Sequence, residues 1–266
     1  GKVPNTSATA ASAGSDLNGM ATRDACDKIK GRLRVFASER WQIDPEQVVF
    51  LPGRVKIGKV EVAFEDLVGE AYRARVPLSA TGFYATPKIT WDKQQAKGRP
   101  FYYFAYGAAV TEVVIDTLTG ENRLLRVDIL HDVGKSLNPA IDLGQIEGGF
   151  VQGVGWLTTE ELWWDKDGHL KTHAPSTYKI PTLGDRAPDM RMEIWEKGEN
   201  AEPTIHRSKA VGEPPLMLAI SAFMALSDAV SASGNDQHYP GLDTPATPER
   251  VLAAVGRVRD RSEAAA

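Results

Sequence analysis

Lys209–Ala210–Val211–Gly212–Glu213–Pro214–Pro215 sets one carboxylate between a glycine and a pair of prolines, and an apolar helical pattern starts directly after it. Pro214 disfavours the α region at Glu213. Pro215 suits the first turn of the following helix, where a missing N–H costs nothing. Gly212 carries no side chain, so other atoms can approach the backbone beside Glu213. The segment therefore holds one acid on a stiff pedestal at a helix mouth. Such an acid can serve as a general base if substrate reaches it. It can also be an ordinary acid favoured by the helix dipole, and the residues alone put that plainer role first.

A second group lies at 138–157. Asn138 is a good N-cap and Pro139 occupies the first helical position. Leu143, Ile146, Phe150, Val154 and Leu157 give a core face at helical spacing. Gly144, Gly148, Gly149, Gly153 and Gly155 each cost roughly 1 kcal/mol against alanine in a helix. Tolerating them points to something approaching the backbone closely: a ligand, or another helix. Gln145, Gly149 and Gln152 share one face. A third group, 4–16, is small and polar. It reads as a linker or as a loop whose hydroxyls and N–H groups surround an anionic or polar ligand.

The elements that carry these groups follow from periodicity and turn residues. A helix is expected at about 16–37, with Asp16 as N-cap and Leu17, Met20, Ile29, Leu33 and Phe36 as its stripe. A short strand follows at 46–52, then a helix through Phe64, Leu67, Val68, Ala71 and Tyr72, ended by Pro77. LSATGFYATP, 78–87, is extended with a glycine break. A long strand at 101–116 turns at 118–121 into a return strand at 122–134. Two short strands flank Asp167–Gly168, and 190–198 is another strand. After Glu213, Leu216, Ile220, Phe223 and Leu226 form the buried side of a helix. A last helix begins at Thr247–Pro248–Glu249. Strands mixed with long helices, without strict βαβ alternation, indicate an α+β fold of packed helices and mixed sheets, in one domain over 1–266 or two lobes.

Of the 266 residues, 42% are hydrophobic and 25% charged, and the net charge is −4. That composition suits a globular chain and gives no general attraction to nucleic acid or an anionic membrane. No apolar run reaches the length of a bilayer span. The single cysteine, Cys26, excludes an internal disulfide and any cluster held by four cysteines of this chain; it reads as a buried helical thiol in a cytoplasmic protein. His131, His169, His173, His206 and His238 have no metal-ligand spacing. There is no HExxH, CxxC, GxSxG or Walker pattern. The opening Gly1–Lys2–Val3–Pro4 reads as the middle of a longer polypeptide.

SKAVGEPPLML at 208–218 resembles the segment of the xanthine dehydrogenase family that carries its catalytic glutamate. KVPNTSATAAS (2–12), LSATGFYATP (78–87), DVGKSLNPAIDLGQIEGGFVQG (132–153) and APSTYKIP (174–181) resemble the same family in the same order. The resemblance is to the C-terminal part of the molybdenum-cofactor-binding portion. It implies a pterin-dithiolene molybdenum centre, needing no protein cysteine on the metal. It implies Glu213 as the general base toward a metal-bound hydroxyl, and Gln145 hydrogen-bonded to a molybdenum oxygen. It implies Thr9, Ser12 and Ser15 as donors to the cofactor, with Ala10 and Ala11 leaving room beside metal and substrate. Gly14 stands where the family can carry a serine, so no side-chain contact is expected there.

The implied reaction is hydroxylation of hypoxanthine and xanthine to urate. Oxygen comes from water, and electrons pass to iron–sulfur and flavin (FAD) centres and then NAD. The implied partners are the remainder of the molybdenum-binding polypeptide, an iron–sulfur and FAD module, and a purine, in a dimeric assembly. Within the class, an aldehyde- or N-heterocycle-oxidising enzyme is the alternative. Outside it, the alternative is a non-catalytic assembly or binding domain, against which Gln145 and Glu213 argue.

Overall fold

The computed structural model describes residues 12–236 and 238–265. These divide into two compact units, one holding Ala13–Tyr102 and the other holding Ser12 and the chain from Tyr103 on.

The first unit opens with helix α1, Gly14–Trp41. It starts earlier than the expected Asp16 cap: Ala13 is the cap position, and Asp16 sits in the first turn, still favoured by the dipole. Gln42, left-handed at φ 55°, ends it by donating to Ser38 O. Cys26 is exposed on this helix rather than buried. The single strand expected at 46–52 is a three-stranded antiparallel meander: β1 Val48–Leu51, β2 Arg54–Ile57 and β3 Val60–Ala63. Gly53 (φ 70°) and Gly58 (φ 60°) make its turns. Helix α2, Phe64–Arg73, ends before Pro77, its capping N–H bonding back to Glu70 O. Val48, Val55, Ile57, Leu67 and Ala37 form the core of this unit.

Residues 77–83 take no strand pairing. They are instead held by α1, whose Arg32 donates to Pro77 O and Ser79 O, Lys28 to Thr81 O, and whose Asp24 accepts from Phe83 N. A Cβ on Gly82 would lie 1.7 Å from Ala21 O, so only glycine lets this segment lie against the helix. A small hairpin, β4 Thr90–Asp92 and β5 Lys97–Arg99, completes the unit.

The second unit is built on a three-stranded sheet of β6 Gly107–Ile115, β7 Asn122–His131 and β8 Asp189–Ile194. The aromatic run 101–106 lies outside β6, shortening the expected strand. β6 and β7 are an antiparallel hairpin, and β8 joins β7 in parallel. A register shift at Glu112/Val113 adds a residue to β7, so Leu124 and Val127 are both buried although three apart. Around Asp167–Gly168 there is only one bridge, Trp164 to Leu170, not two strands.

Helix α3, Pro139–Thr158, begins as expected, with the Asn138 side chain accepting from Ile141 N. Its Ile146 and Phe150, both fully buried, pack with Val127 and Ile129 of the sheet. A 3-10 segment, Pro214–Ala219, leads into α4, Ile220–Ala232. The 3-10 turn winds three residues per turn and shifts the helical phase. The buried stripe is therefore Pro215, Ala219, Ala222, Leu226 and Val230, while Ile220 is 42% exposed. Contrary to the composition-based expectation, Pro214–Ala232 is long and apolar enough to cross a bilayer; here its buried stripe is core. Helix α5, Pro248–Ala265, covers α4 through Val251, Ala254, Val255 and Val258.

Candidate active site

Glu213 stands exposed at the start of the 3-10 segment and makes no capping hydrogen bond to it. Its backbone is in the α region (φ −93°, ψ −38°), contrary to the pre-proline expectation. The turn bond from Leu216 N to Glu213 O, 3.0 Å, holds it there. So does packing on α3: a Cβ on Gly149 would lie 3.1 Å from Gly212 O and 3.1 Å from Pro215 Cβ. On Gly153 it would lie 2.4 Å from Leu216 O. Two of the five helix glycines thus admit the segment that carries the acid. Gly155 is filled by Pro181 and Glu160, whereas Gly144 and Gly148 face open space.

Gly212 is itself a crowded point. A Cβ there would lie 2.7 Å from Ser12 Oγ and 3.2 Å from Gln145 Oε1. Ser12 holds a left-handed backbone, φ 55°. The hydroxyl, the amide and the bare glycine backbone, one residue before Glu213, form a small polar cluster. Gln145, Gln152 and Glu213 are exposed, leaving their polar ends open to a bound molecule. Ser15 is exposed in the first turn of α1, in the other unit. Thr9, Ala10 and Ala11 lie outside the described residues.

Four residues that sequence reasoning passed over lock the segment upstream of Glu213. Lys209 Nζ pairs with Asp132 Oδ2 at 2.5 Å, with both side chains 6% exposed. The ammonium also lies 5.0 Å from the Tyr106 ring centre. Tyr103 Oη accepts from Ala210 N at 2.7 Å. Lys209 N donates to Val133 O at 2.8 Å. The Lys within SKAVGEPP and the Asp directly after β7 were the only signals, and neither names the other as partner. Beside them His131 is buried, its Nδ1 bonded to Tyr106 O at 2.9 Å. Burial pushes its pKa below the ordinary histidine value, against the raising effects of Tyr106 O and Asp132.

One acid–histidine group forms where no metal-ligand spacing was expected. Ligand atoms of Asp165, Asp167 and His169 lie within 4.8 Å of one another. Asp165 already accepts from the N–H groups of Asp167 and His169 and pairs with Lys171 at 2.8 Å. It is a turn closed by its own donors.

A family model described as a molybdopterin cofactor-binding domain matches residues 1–187. The chain belongs to this family. The chain is 46% identical over 264 residues to xanthine dehydrogenase of Oryza sativa subsp. japonica, covering 95% of this chain and 18% of that protein. It is 46% identical over 258 residues to xanthine dehydrogenase/oxidase of Mus musculus, with the same shares covered. It thus spans less than a fifth of the length of these relatives. Among solved structures it resembles quinoline 2-oxidoreductase from Pseudomonas putida 86, with TM-score 0.74 and 25% identity, covering 92% of this chain and 30% of that one.

The residues present fit the cofactor of this family. Ser12, Gln145 and the side-chain-free backbone of Gly212 offer donors and acceptors in a place that a single added Cβ would fill. Gly144 and Gly148 leave α3 bare one turn and less from Gln145. The chain's one cysteine, Cys26, lies exposed on α1.

Proposed function

We propose that this chain supplies the catalytic base and part of the cofactor cradle of a xanthine dehydrogenase, a purine hydroxylase, within a longer molybdenum-binding polypeptide. The observation that carries this is Glu213: an exposed, uncapped carboxylate on a segment clamped from both sides, next to the Ser12–Gln145–Gly212 cluster. An acid present merely to cap a helix would bond the turn it precedes. The 46% identity to xanthine dehydrogenases favours a purine over an aldehyde or other N-heterocycle.

In the net reaction a substrate C–H and a water become C–OH, releasing two electrons and two protons. The bound molybdenum–pterin group supplies the acceptor for those electrons. Glu213 takes the proton of the oxygen nucleophile as it attacks the electrophilic carbon, a role that demands direct reach rather than mere nearness. Gln145 and Ser12 would hold the cofactor by hydrogen bonds, their polar atoms lying together beside Gly212. Iron–sulfur and FAD modules beyond this chain pass the electrons on to NAD. The free thiol of Cys26 suits a reducing, cytoplasmic setting.

The test is single-turnover reduction by xanthine, without oxygen, in the full-length enzyme. Glu213→Gln keeps shape and removes the proton acceptor. The rate is expected to fall by about 10²–10⁴-fold at unchanged molybdenum content. Asp228→Asn, an exposed acid on α4, is the silent control. Parental reduction by Glu213→Gln would overturn the base assignment. A complete complex with no molybdenum or pterin would support the non-catalytic binding domain instead.

A further inference from the structure

We propose that the buried Asp132–Lys209 pair is the positioning device for Glu213, a role that rests on Glu213 being the base. Neither residue touches the reacting atoms. Their place is behind the pedestal.

Lys209 precedes Glu213 by four residues. Its backbone is strapped to the loop that ends β7. Lys209 N bonds Val133 O, Lys135 N bonds Arg207 O at 2.9 Å, and Gly134 bridges Ser208. Asp132 closes that loop on itself, Oδ1 accepting from Gly134 N at 2.7 Å, and gives its other oxygen to Lys209 Nζ. Asn200 Nδ2 and Thr204 Oγ1 both bond Ser208 O, at 3.0 and 2.7 Å. Downstream, Pro215 and Leu216 press on Gly149 and Gly153. Glu213 is the exposed residue between two fixed ends.

A buried ion pair is a poor way to gain stability. An apolar pair of similar volume often does as well or better, while removing one partner strands a buried charge. What the pair supplies is direction. Two oxygens of one carboxylate fix the β7 loop and the Lys209 side chain together, so the pedestal takes one height above α3. A misplacement of about 1 Å far from the chemistry can cost about 100-fold in rate. Proton transfer from a nucleophile has that sensitivity.

The test uses the full-length enzyme and the double variant Asp132→Leu/Lys209→Met, which strands no charge. Expected are a kcat lower by about 10- to 100-fold, an unchanged KM, and near-parental molybdenum content and melting temperature. Hydrogen exchange of the amides at 210–213 should accelerate, read on apoprotein so that cofactor loading plays no part. In a Glu213→Gln background the same double variant should add no further loss, because its effect passes through that carboxylate. A purely structural role predicts equal loss in both backgrounds. Parental kcat, parental exchange at 210–213, or equal losses would each overturn the proposal. Should the double variant fail to fold, Tyr103→Phe removes the acceptor of Ala210 N. It should show the same pattern more weakly, and parental exchange and kcat there would overturn the proposal equally. If Glu213→Gln is itself silent, it is the base assignment that fails, and the exchange measurement still decides whether the pair holds the strap.

Discussion

At the scale of single residues, the site is a matter of which polar groups are left over. Most side-chain polar groups around Glu213 are engaged: Lys209 donates to Asp132, Tyr103 accepts from Ala210 N, and Asn200 donates to Ser208 O. Glu213 and the Ser12–Gln145 pair are not spent on capping or strapping. His131 is a different remainder. It is 1% exposed, and its Nε2 finds no partner among the described residues. Its folded pKa lies below the ordinary 6.5, chiefly through burial, with Lys209 pushing the same way and Asp132 opposing. The unfolded chain therefore binds a proton at a pH where the folded one does not. Stability from this group is present above the ordinary histidine value and is lost as pH falls through the folded one. Chemical denaturation at steps from about pH 7.5 down to 5 should show a decline that is shallower in His131→Gln. Equal slopes would assign the acid sensitivity elsewhere.

At the scale of elements, the glycine-rich helix α3 separates into two kinds of glycine. Gly149 and Gly153 are occupied by the Pro214–Ala219 segment, and Gly144 and Gly148 by nothing among the described residues. Gly148→Ala should stabilise the chain by up to about 1 kcal/mol from helix propensity. Gly153→Ala should destabilise it by about 1–3 kcal/mol, because the new carbon meets the Leu216 carbonyl. Gly149→Leu should displace Glu213 and lower molybdenum retention in the full enzyme. Urea midpoints and metal analysis read these out. Much of α3 was legible in the sequence, since Asn138, Pro139 and the Ile146–Phe150–Val154–Leu157 stripe act locally. Of the two explanations of its glycines, close packing holds for Gly149 and Gly153, while Gly144 and Gly148 face open space among the described residues. What was illegible is set by non-local choice. The strands of the β1–β3 meander are four residues each, too short for a period to declare itself. The 3-10 start of the helix after Glu213 turns the buried stripe by a phase that no propensity predicts. Lys209 and Asp132, 77 residues apart, become partners only once β7 and its loop are in place.

At the scale of the whole molecule, the chain leaves polar and apolar surface open together. Glu213, Gln145 and Gln152 are exposed, and Trp156, Leu162, Trp163, Ile180 and Leu183 expose apolar surface in the same unit. Relatives are more than five times longer. Expressed by itself, the 266-residue chain should retain little molybdenum and oxidise no xanthine. Metal analysis and urate formation measure both. Robust turnover by this chain with no other polypeptide would show that the missing walls are dispensable. The motif segments made the family legible from the residues, because Glu213, Gln145 and the glycines around them stand in recognisable stretches in the family's order. Their meeting at Gly212 was not legible, because Ser12 arrives there from a stretch some two hundred residues away.

The parallel pairing of β7 with β8 has a consequence for how the chain is made. Val127 meets Met190 and Ile129 meets Met192, so the hairpin of β6 and β7 leaves the ribosome long before its third strand. At about 5–20 residues per second, that interval is about 3–12 seconds, and α4 comes later still. Throughout it Val127 and Ile129 lack their β8 neighbours Met190 and Met192. The core closes later still, when the Pro214–Ala219 segment docks on Gly149 and Gly153 of α3. Completion of the core and placement of Glu213 are then one event in time.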